Sequence, residues 1–155
     1  MLKLAVPIFT LAGLAAFFAG TAPTNPPLRA ERSFQAVLQP PARVARMLDH
    51  SCGDCHSNRT VWPWYSRLPI VGARLRGDVE GGRAAFNLSD WGGTPDDAES
   101  SAATLLSMCG EMRTGKMPLP NYLMLHPDSR PASAEVATFC SWSSNRAREL
   151  MHSPR

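Results

Sequence analysis

The stretch SCGDCHSNRTVWPWYS, residues 51–66, puts Cys52, Cys55 and His56 within five positions. No other feature of this 155-residue chain restricts its fold as strongly. Three chemistries use two thiols and an imidazole at this spacing: a redox dithiol, a zinc site and a covalently attached haem. Each asks for a different scaffold, so the rest of the sequence must discriminate among them.

A redox C-x-x-C ordinarily closes a strand in a βαβ unit. No alternating stretch here reads as a strand. Zinc asks for four ligands, commonly two C-x-x-C pairs. The remaining thiols, Cys109 and Cys140, are far apart and fall on predicted helices. That leaves a set of Cys52, Cys55, His56 and His126 as the zinc alternative. The haem reading uses the motif as it stands. Cys52 and Cys55, three apart on a helical turn, face the same way, and each can add its sulfur to a vinyl group. His56 then lies over the ring and can reach the iron as the proximal ligand.

The rest of the chain has to supply a scaffold. Residues 4–20 carry no charge and follow a lone Lys3, which reads as an export signal. The run is near the lower limit for spanning a bilayer. A cut after Ala22 would leave Pro23 at the scissile bond, which favours an uncleaved anchor over a cleaved signal. Either way the remaining chain faces an oxidising compartment, the periplasm or the outer face of a bacterial inner membrane. Residues 23–41 read as a proline-rich tether and 42–150 as the folded domain. The formal charge is only +3 and the basic residues are scattered, which gives nucleic acid no stripe to bind. There is no glycine-rich phosphate loop and no nucleophile elbow.

Pro41 opens a helix with Val44, Met47 and Leu48 on one face, running into Cys52. Residues 57–70 are a loop. A short helix over about 71–85 is weakened by Gly81 and Gly82. Residues 86–95 form a second loop. Thr94 caps the next helix, with Pro95 at its first position and Asp96 and Asp97 in its first turn. Leu105, Cys109 and Met112 line one face of it. A third loop covers 114–132. Ser133 starts a last helix with Val136, Phe139, Cys140 and Ser143 inward. The expected fold is all-α and cytochrome c-like: three to five short helices with long loops, stiffened by fourteen prolines, around one covalent haem.

Met117, in TGKMPLP, is the candidate distal iron ligand, because flanking Gly115, Pro118 and Pro120 make a stiff loop that can aim a thioether. His126 is the runner-up. His50 lies too close to the attachment site to cross to the far face, and His152 is in the tail. Met47, Met108 and Met112 sit at core spacing. Trp62, Trp64, Tyr65 and Trp91 are candidates for the walls of a haem pocket, or plain core. Arg83 is either a partner for a haem propionate or a solvated helix arginine. Cys109 and Cys140, an even pair in an exported domain, read as a disulfide tying the last two helices, with two buried free thiols as the alternative.

Four blocks taken together carry a family resemblance. They are CGDCHSNRTVWPWYS, DVEGGRAAFNLSDW at 78–91, CGEMRTGKMPLPNYLMLHP at 109–127 and FCSW at 139–142. In this order, over roughly residues 25–145, they resemble the bacterial haem-binding domain family, a group of small monohaem cytochrome c-like proteins. TNPP after an apolar segment is similar to members that remain anchored. The resemblance implies covalent haem c on Cys52 and Cys55 with His56 proximal, and is compatible with Met117 distal. The resemblance is to a haem-binding module and says little about a partner. With Met117 on the iron no site is left vacant, so the reading of the residues is a single-electron carrier serving an unidentified redox partner protein, not an enzyme. The competing readings are a haem-based ligand-binding, sensor or peroxidase-like protein with an open distal side, and the structural zinc module.

Overall fold

In the computed structural model, residues 23–93 and 98–152 are described. The expectations for residues 1–22 and for the cap at Thr94, Pro95, Asp96 and Asp97 lie outside them. The described residues form six α-helices and contain no strand. We label them α1 (Phe34–Leu38), α2 (Ala42–His56), α3 (Pro69–Ala85), α4 (Ala98–Arg113), α5 (Pro120–Leu125) and α6 (Ser133–His152). Single 3-10 turns occupy Ala30–Arg32, Trp64–Arg67, Trp91–Gly93 and Pro127–Ser129. Among the described residues no helix is long and apolar enough to cross a membrane.

Val44, Met47 and Leu48 put one face of α2 into the core, as their spacing predicts. Leu105, Met108, Cys109 and Met112 do the same for α4, and Phe139, Ser143 and Ala147 for α6. α4 and α6 lie against each other along their lengths, and the Cys109–Cys140 disulfide joins them with a Cα–Cα distance of 5.1 Å. The expected pairing is therefore present. α2 packs on α3 and α6.

Two expectations about organisation need correction. The stretch 23–41 is no free tether beyond its first residues. Ser33 caps α1, and Phe34 and Leu38 on it are fully enclosed in the core. The Phe34 ring meets Trp91 edge-on at 4.9 Å and also contacts Trp142 at 5.7 Å. Even Asn25 is tied down, donating to the Thr60 carbonyl at 2.9 Å and accepting from Trp62 Nε1 at 2.9 Å. The packed unit thus includes α1 as well as residues 42–150. Second, the loop over 114–132 contains α5, which Pro120 starts at its first turn. The helix expected over about 71–85 is present as α3 and runs unbroken through Gly81 and Gly82. A Cβ at 82 would sit 2.8 Å from the carbonyl oxygen of Cys55, so α3 can cross the end of α2 this closely only with glycine there.

Candidate functional site

The last turn of α2 carries Cys52, Cys55 and His56, and side chains beyond it close off its end. Ser57 donates its hydroxyl to the Gly53 carbonyl at 2.6 Å, and Thr60 Oγ1 donates to Asp54 O at 2.7 Å. Carbonyls that a helix end leaves orphaned are satisfied in this way. The His56 carbonyl accepts from Leu88 N at 2.7 Å. The His56 ring stacks on Phe86 at 3.9 Å, with Nδ1 at 3.4 Å from the Phe86 carbonyl. An Nδ1–H donated to that carbonyl leaves the lone pair on Nε2. Burial lowers the His56 pKa and favours this neutral imidazole, against a smaller upward pull from backbone carbonyls.

All three side chains line one cavity of about 530 Å³, inside the range of about 300–1,000 Å³ typical of small-molecule sites. α2 forms one wall with these three residues and Asp54. α3 contributes Gly77, Gly81, Gly82 and Ala85, and Phe86 follows. α4 contributes Met108 and Met112. Met117, Pro118, Leu119 and Tyr122 line it too, and Ser51, Asp78, Thr104, Ser107 and Glu111 add a polar margin. The glycines at 77 and 81 have open space where a Cβ would be, so they widen the cavity on that side.

Met117 is positioned by the end of α4. Gly115, at φ +70°, takes the left-handed conformation that terminates a helix. Its N–H donates to Met112 O at 3.2 Å, and Lys116 N–H donates to Glu111 O at 3.0 Å, the pair of bonds of a Schellman cap. Met117 N–H also donates to Glu111 O at 3.2 Å. On the far side, Tyr122 on α5 donates its hydroxyl to Asp54 Oδ2 at 2.8 Å, with Ser129 Oγ at 3.2 Å. His50 Nε2 bonds the Asp128 carbonyl at 2.9 Å. The segment after Met117 is thus fastened to α2, the helix that holds His56. The Tyr122 pKa is pushed up to about 12, chiefly by burial, with the Asp54 carboxylate adding to the effect.

The thiols have their own electrostatics. Burial pushes Cys52 up to about 12, with Cys55 and Asp49 adding. Burial, then Asp54 and Asp78, push Cys55 up to about 11. A redox dithiol works through a thiolate of depressed pKa. These thiols sit in the opposite kind of environment, which weighs against that chemistry. The zinc set is not assembled either. His126 stacks on Tyr122 and lines a neighbouring cavity of about 160 Å³ that includes Cys55 but neither Cys52 nor His56. Among the described residues no group of three or more His, Cys, Asp and Glu side chains is arranged to hold a metal ion. The same displacement moves His126 away from the runner-up position for a distal ligand.

The aromatic expectations fall elsewhere. Trp91 is core, between Phe34 and Phe86. Trp62 bonds Asn25, Tyr65 lines the smaller cavity, and Trp64 is 77% exposed. Phe86 and Tyr122 supply the aromatic lining of the larger cavity instead. Arg83 points its Nε at the Ser57 carbonyl (2.8 Å) and its Nη2 at Asn25 Oδ1 and Thr60 Oγ1 (2.8 Å each). It fastens the N-terminal segment and the turn after α2, and is absent from the cavity lining. Met108 and Met112, read as core, are both buried and cavity-lining. The small residues Gly77, Gly81 and Ala85 fall four apart on α3, a spacing that marks one helix face and is visible in the sequence.

The residues present fit a flat apolar macrocycle bearing a metal. Two thiols stand beside a neutral imidazole, a thioether lines the same cavity, and glycines leave room for a ring. The comparisons agree with this chemistry. A family model described as Haem-binding domain matches residues 11–145. No curated protein and no solved structure matches the chain.

Proposed function

The chain belongs to the haem-binding domain family and is a haem-binding protein, and from that premise we propose that it is an exported monohaem c-type cytochrome that carries single electrons. The observation that supports this most is the convergence of Cys52, Cys55, His56 and Met117 on one cavity. Haem, when bound, supplies a one-electron iron couple. Cys52 and Cys55 would hold the ring edge through thioether links to its two vinyl groups. His56 would hold the iron through Nε2, with the Phe86 carbonyl accepting from its Nδ1–H, which fixes the ring and raises its basicity. Met117 would supply a thioether, which would favour ferrous iron and raise the potential. Met108, Met112 and Phe86 give the site an apolar lining.

Export accords with the disulfide, because such bonds persist in oxidising compartments. Residues 4–20 serve as the anchor, which places the domain on the outer face of a bacterial inner membrane, where it serves a redox partner protein.

The test is acid–acetone extraction of the full chain, produced in a bacterial host that matures c-type cytochromes. Haem stays with the polypeptide, and Cys55→Ser retains one thioether at most. Haem released into the solvent from the unsubstituted chain contradicts covalent attachment.

A further inference from the structure

Among the large apolar side chains left on the surface, one group lies together. Val61 is 78% exposed, Trp64 77% and Ile70 86%. Val61, Val71 and Leu125 line the smaller cavity together, and Trp64 packs its ring edge-on against Tyr65, which lines it too. Ile70 is the chain neighbour of Val71 on the first turn of α3. Clustered apolar exposure of this kind marks an interaction surface.

The chain itself says what covers it. Asn25 is held at this face by three side-chain hydrogen bonds, to the Thr60 carbonyl, from Trp62 Nε1 and from Arg83 Nη2. Thr60 and Trp62 flank Val61 directly. The uncharged run 4–20 ends five residues before Asn25. Five residues span at most about 17 Å when fully extended. A domain hung this closely from an anchor must turn its Asn25 face towards the bilayer. The side chains there suit a lipid interface. An indole favours the headgroup level, with its apolar body in the acyl boundary and its N–H in the wet layer. Arg67, exposed between Trp64 and Ile70, offers a guanidinium group to headgroup phosphates, while Arg74 pairs with Asp78 at 3.4 Å.

We propose that the face carrying Val61, Trp64 and Ile70 rests on the phospholipid bilayer that residues 4–20 enter, fixing the orientation of the domain on the membrane. This rests on the anchor reading above. A docked protein is the competing occupant of the same patch, and the short tether favours lipid.

The experiment uses the full haem-loaded chain in vesicles of phosphatidylethanolamine and phosphatidylglycerol, doped with a phospholipid carrying a photoactivatable acyl chain. After irradiation, lipid adducts are mapped by mass spectrometry. Adducts are expected on residues 1–22 and again within 60–75. The triple variant Val61→Ser, Trp64→Ser, Ile70→Ser alters only exposed positions and so keeps the fold. It should sediment fully with the vesicles yet lose adducts within 60–75 several-fold. A vesicle-bound chain labelled only within 1–22 overturns the proposal and leaves the patch to a protein partner. A chain that does not sediment with the vesicles overturns the anchor itself, and the proposal with it.

Discussion

The two sides of the cavity are built by different means. Cys52, Cys55 and His56 come from consecutive turns of one helix, so their relative placement follows from helical periodicity alone. Met117 comes from a loop whose place depends on a left-handed glycine, a helix pair joined by a disulfide, and bonds from Tyr122 and His50 across to α2 and the segment after α5. The first side is a local structure. The second is only as well placed as the tertiary contacts around it. Perturbing the fold should therefore disturb the Met117 side before it disturbs the Cys–His side.

The largest effect is expected from the disulfide. It closes a loop with a sequence separation of 31, and cross-links of that size are worth about 3–4 kcal/mol. Replacing Cys109 and Cys140 together by alanine should lower the urea-unfolding free energy by that amount. A change under about 1 kcal/mol would mean that packing alone aligns α4 with α6. A smaller effect separates two adjacent glycines. Gly82→Ala drives a methyl against the Cys55 carbonyl and should cost about 1–3 kcal/mol. Gly81→Ala meets open space and should gain up to about 1 kcal/mol from helix propensity in the haem-free chain. Equal effects at the two positions would remove the close helix crossing from the account.

The smallest effect concerns the strap across the cavity. Tyr122→Phe loses the bond to Asp54 and should cost about 1 kcal/mol. It also changes the alkaline limb. The folded chain holds the Tyr122 proton up to about pH 12, while an unfolded tyrosine releases it near 10. The folded state then binds more protons than the unfolded one over that window. This group's contribution is present below pH 10 and is lost as pH rises towards 12. Melting temperatures measured from pH 8 to 12 should fall less steeply in Tyr122→Phe than in the unsubstituted chain. Parallel curves would show that the phenol titrates alike in both states.

The same contrast governs what the sequence reveals. The Cys–His cluster, the faces of α2, α4 and α6, and the pairing of Cys109 with Cys140 were legible because each is a short-range pattern or a count. Phe34 and Leu38 were missed as core because their partners, Trp91 and Trp142, are far along the chain. Gly81 and Gly82 read as weak points in a helix. Propensity records their local cost, whereas their use lies across space, as an open wall and a crossing point. Arg83 has the chemistry for a propionate but finds the Ser57 carbonyl, Asn25 and Thr60 first. The stiff flanks of Met117 were legible and the residue lines the cavity, while the Tyr122–Asp54 strap that helps to seat its loop joins residues 68 apart.

The central claim is that Met117 and His56 serve one iron from one cavity. Its most direct test is the absorption spectrum of the reduced, haem-loaded chain before and after adding carbon monoxide, compared with that of Met117→Ala. The account predicts an unsubstituted spectrum that carbon monoxide leaves unchanged, and a variant that keeps its haem but binds the gas. Carbon monoxide binding equally to both proteins would contradict it, and would make the site an open haem for small ligands.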